Sequence, residues 1–444
     1  MSDFGFRISD KLLPATHPKS EIRNPKSLLF LLLALCGLLS AQVTRPKDVR
    51  ELAKGGSNAI PQLQALLKNQ DLNIRVEAVK SIVDIGTQRS LDPLIEATSD
   101  SDAEIQIRAT DGLVNFYLPG YVRTGFSARL QRVGTGIKGK FTDTNDQVIE
   151  AYVKVRPDVI TAIGKLARGG VSMESRANAA RAVGILRGQA AIPDLVDAMK
   201  SKDNAVLYES VIAIQKIRDK DAAPKLRYLL RDLDERVQFA AVETTGILQN
   251  KEALPDLVDV LNRARSSKIR RGALTAIAMM PDESSRPLLT RFLSDKEDAM
   301  RAAAAEGFAR LKNSKDLPVI KQAYEKEGKA SPRLSMAFAM VSLGTLEVSE
   351  FSPLQLLINT LNSRARQGEA FPFLIELARD ERIRASLYPA LTGGQKDEKI
   401  YLSRVMARSG DKDSLTPLEK VSHDADPEVA QEGLRALQNL RARL

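Results

Sequence analysis

Apolar residues recur along most of the chain in short blocks at helical spacing, separated by polar gaps. Ile192-Pro193-Asp194-Leu195-Val196-Asp197 opens a short apolar helix, and Ala205–Ile217 supplies a second. Ala223-Pro224 begins another copy, and Leu254-Pro255-Asp256-Leu257-Val258-Asp259 the one after. Prolines 193, 224 and 255 are 31 residues apart. That step is the spacing of a two-helix repeat rather than of a single-core domain. Proline in the first helical turn has no donor to lose, which explains its recurrence there. Within a unit, Ile74, Ala78, Val79, Ile82 and Val83 fall on one helical face and predict one buried stripe.

Laid along the chain, this spacing predicts a capping helix at Asp48–Lys54, ended by Gly55-Gly56. It then predicts Ile60–Lys68 paired with Asn73–Ile85, and Asp92–Thr98 with Ala103–Phe116. The next unit should begin near residue 124, but its phrase, Pro157-Asp158-Val159-Ile160, arrives a full repeat late. Between lies Tyr117–Arg156, with Pro119 and glycines at 120, 125, 134, 136 and 139. Phe126–Val133 and Val148–Val155 alternate as β-strands do, so a hairpin or ordered loop is expected there. From Pro157 the pairs resume: Asp158–Ala167 with Glu174–Leu186, Ala191–Lys200 with Ala205–Ile217, and Ala222–Arg231 with Glu235–Leu248. Pro255–Arg263 with Ile269–Met279, Ser285–Leu293 with Ala299–Leu311, and Asp316–Glu327 with Pro332–Leu343 follow. After residue 344 the phrase degenerates, and three pairs remain: Pro353–Leu361 with Ala370–Ala378, Ile383–Leu391 with Glu398–Ala407, and Leu415–Val421 with Pro427–Leu440. The expected fold is all-α, an α-α superhelix (an α-solenoid) of about eleven helix pairs with one long non-helical insertion. The divisions are 1–41, 42–116, 117–156, 157–343 and 344–444.

Composition fits narrow helix layers. Aromatics make up 5% of the chain and tryptophan is absent, so Ala, Leu, Ile and Val must build the interior. Leu28–Leu39 is an apolar run preceded by Arg23 and Lys26 and followed by Ser40-Ala41. It is too short to span a bilayer and has the length of a signal-peptide core, with cleavage expected after Ala41. The expectation is an exported chain, periplasmic or secreted, without a transmembrane segment once cleaved. Cys36 lies inside the run, and Leu35 before it is too large for a good lipoprotein processing site. The polar stretch ahead of the run repeats Pro-Lys-Ser at 18–20 and 25–27, suggesting a start downstream of Met1. The formal charge is +10; residues 1–41 hold five Lys/Arg and three Asp/Glu, which leaves +8. That surplus suits anionic partners, a polymer or a membrane surface, without singling out nucleic acid.

The Pro-Asp-Leu-Val phrase, the 31-residue step and a second helix such as Asp298-Ala299-Met300-Arg301-Ala302-Ala303-Ala304-Ala305 resemble HEAT repeats of the short bacterial, phycobilisome-lyase-like type. The resemblance covers residues 47–442 apart from Tyr117–Arg156. It implies the armadillo-type solenoid fold. It does not imply one function, since such solenoids serve as scaffolds, lyases, hydroxylases and DNA-repair enzymes.

Candidate chemistry concentrates in the insertion. Gly134-Thr135-Gly136-Ile137-Lys138-Gly139-Lys140 satisfies two phosphate-loop patterns. A Walker loop needs Ser or Thr after the lysine, where Phe141 stands, and both patterns need a helix to follow, where Thr142–Asp146 reads as turn. Asp143-Thr144-Asn145-Asp146 lacks the glycine and glutamate of a calcium loop, having Val148 and Lys154 at those places. The histidines are His17 and His423. Deoxyhypusine hydroxylases resemble this fold but hold two irons through several His-Glu pairs, which this chain does not have. One histidine beyond the leader, and no cysteine there, rules out zinc sites and Ser-His-Asp triads. No pigment pocket identifies a lyase, and glycosylase-like relatives lean on aromatics to frame a lesion.

Arg75, Arg108, Arg176, Arg236, Arg270 and Arg301 recur early in second helices. They suit either a basic stripe or, preferably, a ladder pairing with Asp71, Asp102, Asp234 and Asp298. In the insertion, seven Lys/Arg against three Asp/Glu give a local +4. The expected function is a non-catalytic scaffold without cofactor or metal, binding a protein partner or an anionic polymer. Its contacts would come from the concave face and from Tyr121, Arg123, Phe126, Arg129, Arg132, Lys138, Lys140, Phe141 and Tyr152. The competing class is an enzyme or nucleotide or nucleic-acid binder built on the same solenoid.

Overall fold

The computed structural model describes residues 45–121, 147–150 and 152–444. The described residues hold a capping helix, Pro46–Ala53, and eleven helix pairs in series. The pairs run from Ile60–Leu66 with Leu72–Ile85 to Leu415–Val421 with Pro427–Arg443. All three pairs expected after residue 344 are present, at Pro353–Thr360 with Gln367–Leu377, Glu381–Gly393 with Lys396–Ser409, and the last pair. One first helix differs from expectation: Lys220–Arg231 is 3₁₀ rather than α throughout. Pro224 inside it has no N–H to give the ladder.

Most units share one punctuation. A 3₁₀ turn, such as Gln189–Ala191 or Lys251–Ala253, leads into a first helix whose proline occupies the first turn. Several second helices begin at an aspartate whose carboxylate accepts from backbone N–H groups of the first turn: Asp102 from Glu104 and Ile105, Asp203 from Ala205 and Val206, Asp234 from Arg236 and Val237. Such a cap is worth about 1 kcal/mol. Several second helices end in left-handed backbone. Gly86 has φ 57°, but Arg187, Arg218, Gln249 and Lys312 take φ of 49°, 62°, 58° and 54° at the equivalent point of their units. Glycine bears that conformation without steric cost, whereas an L side chain there costs roughly 1 kcal/mol.

The two helix rows are packed differently. First helices such as Leu254–Arg263 bury one stripe, here Leu254, Leu257, Val260 and Leu261, and face water with the rest. Second helices are enclosed nearly all round; in Met173–Ile185, Ala177 through Ile185 are buried without a break. Small residues allow this. A Cβ on Gly184 would stand 2.7 Å from Ala213 Cα, and one on Gly246 2.7 Å from Ala276 Cα. Second helices of successive units therefore pack backbone to backbone, while first helices touch their counterparts less. A stack that is tighter along one row bends toward it, so second helices line the inside of the curve.

The bend brings distant units together. Arg310, at the end of one second helix, bonds Glu376 near the end of another, with Nη2 to Oε2 at 2.8 Å. Arg435 of the last helix forms an ion pair with Glu150, which precedes the third pair. One hydrophobic core runs the length of the stack, from Val49 to Leu440.

Candidate interaction surface

The inner row of second helices and the residues flanking the insertion form one connected region. Leaving Ala103–Tyr117, the chain tucks Tyr121 against the core, where its hydroxyl bonds Arg181. Arg181 grips Glu209 of the next second helix through two bonds, 2.6 Å from Nη2 and 3.2 Å from Nε, both residues buried. Burial opposes the Arg181 charge, and Glu209 more than compensates, so the guanidinium is held charged. Burial, and then the nearby Asp111, push the Tyr121 phenol well above its ordinary range, so it stays neutral, its oxygen accepting from Arg181. Asn178 bonds Asp111 at 3.0 Å, completing a polar network across three second helices.

The returning strand of chain is fastened to the same row. Ile149 is buried and donates its N–H to the Ile185 carbonyl at 3.0 Å. The Arg156 N–H bonds the Tyr117 hydroxyl at 3.2 Å, and its guanidinium reaches Asp92 at 2.7 Å. Residues 147–150 and 152–156 are not strand; Ile149, Val153 and Val155 turn toward the core, and Phe126–Val133, the other half of the expected hairpin, lies outside the described residues. Of the insertion residues named from sequence, Tyr121 packs inward and Tyr152 is exposed. Arg123, Phe126, Arg129, Arg132, Lys138, Lys140 and Phe141, the glycine-rich motif, the acidic turn at 143–146 and the cleavage position Ala41 lie outside the described residues.

The arginine ladder exists, in a different register from the expected one. Asp71, Asp102 and Asp234 cap helices instead of pairing with arginines. The arginines that bridge units stand four residues past the cap. Arg75 Nε reaches Asp100 of the following unit at 3.0 Å, and Arg75 Nη1 takes the Asn69 carbonyl at 3.0 Å. Arg301 likewise reaches Glu327 at 2.7 Å and the Asp295 carbonyl at 2.9 Å, and does bond Asp298 at 3.0 Å. Arg333, which the repeat phrase did not reveal, occupies the same place and bonds the Tyr324 carbonyl at 2.9 Å. Each such side chain satisfies carbonyls left open at the end of its own first helix. Arg108 and Arg236 are out of that register; one bonds Glu104 within its helix, and the other lies 4.7 Å over the Tyr208 ring.

The HEAT-repeat family model matches residues 42–114, 160–244, 202–278 and 254–340, together more than half of the chain. This chain is a HEAT-repeat protein. The matched spans skip the insertion and stop before the degenerate C-terminal pairs, which the structure nonetheless builds as HEAT-like units. No curated protein matches the chain. Among solved structures, this HEAT-repeat chain is similar to an engineered protein at 16% identity and TM-score 0.33, covering 86% of this chain and 98% of that one. It is also similar to the complex of CpcE and CpcF of phycocyanin lyase from Nostoc, at 18% identity and TM-score 0.28, covering 64% and 94%. A third is Kap95p bound to RanGDP, at 13% identity and TM-score 0.41, covering 89% and 58%.

Chemistry on the described surface is sparse. His423 Nδ1 lies 2.8 Å from the Glu419 carbonyl oxygen, and Asp424 pairs with Lys399 at 2.8 Å, so the His-Asp pair serves the last loop. Among the described residues no His/Cys/Asp/Glu group is placed to hold a metal ion, and no helix is long and apolar enough to cross a membrane.

Proposed function

We propose that this HEAT-repeat chain is an exported, non-catalytic scaffold that binds a protein partner, with an anionic polymer as the other ligand class its charge suits. The single observation behind this reading is the fastening of both flanks of the insertion to the inner row of second helices. Tyr121 is held by Arg181 on one side, and Ile149 by Ile185 with Glu150 by Arg435 on the other. A segment so anchored is presented from a rigid support rather than hung from a free loop. Its basic and aromatic residues, Arg123, Phe126, Arg129, Arg132, Lys138, Lys140, Phe141 and Tyr152, are then the contact set.

The test is a pull-down from envelope extract with the intact chain and a form in which residues 122–146 are replaced by a flexible Gly-Ser linker. Keeping Tyr121 and residues 147–156 preserves the anchors and hence the stack, which circular dichroism and melting would check. Loss of specific partners from the replaced form is expected, and identical partner sets would overturn the assignment of the insertion. Export is tested separately by sequencing the N-terminus of the mature chain. A cleaved chain beginning at Gln42 is expected; an intact chain in the cytoplasm would remove export from the reading.

A further inference from the structure

The bend of the stack makes two long-range ion pairs, and they are built differently. Arg310 meets Glu376 in a largely buried setting, with one unit between them. It also bonds Glu306 at 3.2 Å and the Ala278 carbonyl at 3.1 Å, and it lies 5.4 Å over the Phe338 ring, itself stacked on Phe373 at 4.6 Å. Arg435 meets Glu150 across a far longer stretch of chain, joining the last helix, Pro427–Arg443, to the approach of the third pair. Those two side chains are 51% and 32% exposed, and among the described residues neither has a second ionic or hydrogen-bond partner. The large apolar residues beside them, Leu434 and Tyr152, are 51% and 45% exposed, so apolar burial does not back the pair.

Each partner of the exposed pair belongs to a firmly built body. On one side, Ile149 is fastened to the Ile185 carbonyl, the Glu150 carbonyl accepts from the Val153 N–H at 3.0 Å, and Val153 and Val155 pack against the core. On the other, the last helix is tied to the preceding unit by Arg404 to Glu432 at 2.9 Å and by Lys396 to Asp426 at 2.9 Å and Glu428 at 2.8 Å. What separates the two bodies is the sum of the tilts between successive units. In a stack whose units touch only their neighbours, a small change at each interface moves the ends a long way at little cost anywhere. An exposed ion pair across such a soft coordinate holds weakly in water and more weakly as salt is added.

We propose that Arg435 and Glu150 form a releasable latch between a closed and an open form of the stack. Latched, the last unit is held against the approach to the third, and the inner row of second helices spans a narrower cleft. Released, the same row spans a wider one, while Tyr121 and Ile149 still fasten the flanks of the insertion to their helices. Arg310 and Glu376 keep the local bend in both forms, because their pair is buried and multiply bonded. Competition for the two exposed charges, by salt or by a charged partner, is what opens the latch. The inference does not rest on the scaffold reading, since no partner is needed for the two forms to exist.

The test is pulsed electron paramagnetic resonance on the full chain with C36S, Y152C and L434C, which places a spin label on each side of the latch and leaves the ion pair intact. At low ionic strength one short distance between the labels is expected, and molar sodium chloride should add a longer population. R435E should show the longer population already at low ionic strength. The charge exchange E150R/R435E should restore the short one, which a merely disruptive substitution would not do. Melting guards against unfolding: both charge variants alter exposed side chains and should melt within a degree or two of the labelled parent. A distance that changes neither with salt nor in R435E would overturn the proposal, as would a long distance in the parent at low ionic strength or a charge exchange that fails to restore the short one.

Discussion

The two edges of this stack use the same residue to opposite ends. Where a second helix begins, arginine is consumed by the fold: Arg75, Arg301 and Arg333 fill open carbonyls, and Arg75 and Arg301 also pair with carboxylates of the following unit. Where a second helix ends, Arg187, Arg218 and Arg379 bond nothing through their side chains among the described residues, and two of them strain the backbone. The difference shows that repetition in sequence does not imply repetition of role. A position that recurs with a partner maintains register, and one that recurs without a partner does not.

The comparison is sharpest as a set of substitutions whose effects should differ in sign. Arg301→Ala leaves Glu327, whose carboxylate side chain is only 5% exposed, without its partner and reopens a carbonyl. It should cost about 3 kcal/mol in urea denaturation, as expected for breaking a largely buried pair. Gly246→Val drives a side chain into Ala276 of the next second helix and should cost about 2 kcal/mol. Asp234→Ala removes a cap from the unit-starting edge and should lower stability by about 1 kcal/mol; no change in the urea midpoint would deny the carboxylate that role.

At the other edge the sign reverses. Arg218→Gly relieves the left-handed backbone, so it should raise stability by roughly 0.5–1 kcal/mol despite deleting a large side chain. A melting temperature below that of the parent would break the contrast between the edges. The smallest effect concerns acid. Hydrogen bonding from Arg301 holds the Glu327 carboxyl below its ordinary value of 4.5. A carboxylate depressed in the folded state stabilises above its unfolded pKa and loses that contribution as pH falls through the folded value. In Glu327→Gln, the fall in stability below about pH 4.5 should therefore be shallower than in the parent.

Much of this was legible without coordinates. Proline spacing located the regular units because a proline in the first turn loses no hydrogen bond, and the degenerate Pro353–Thr360 and Leu415–Val421 helices formed where their apolar pattern was read. The arginine ladder was legible in kind but not in register. Asp71, Asp102 and Asp234 lie closer in sequence to the arginines than Asp100 or Glu327 do, yet a carboxylate at a helix start is captured by backbone N–H groups before it can serve a side chain. Sequence offered one overlooked sign of the opposite edge: a cation at 187, 218 and 312, where Gly86 and Gly344 show what the backbone prefers.

The sequence by itself determined the unit, its helices and the family, because those follow from contacts within about one repeat length. Only the tertiary structure decided which units meet. The approach of Arg435 to Glu150, and of Arg310 to Glu376, arises from small inter-unit tilts summed over several repeats. Each tilt is set by a close approach such as Gly184 on Ala213 or Gly246 on Ala276, and no local pattern records the sum.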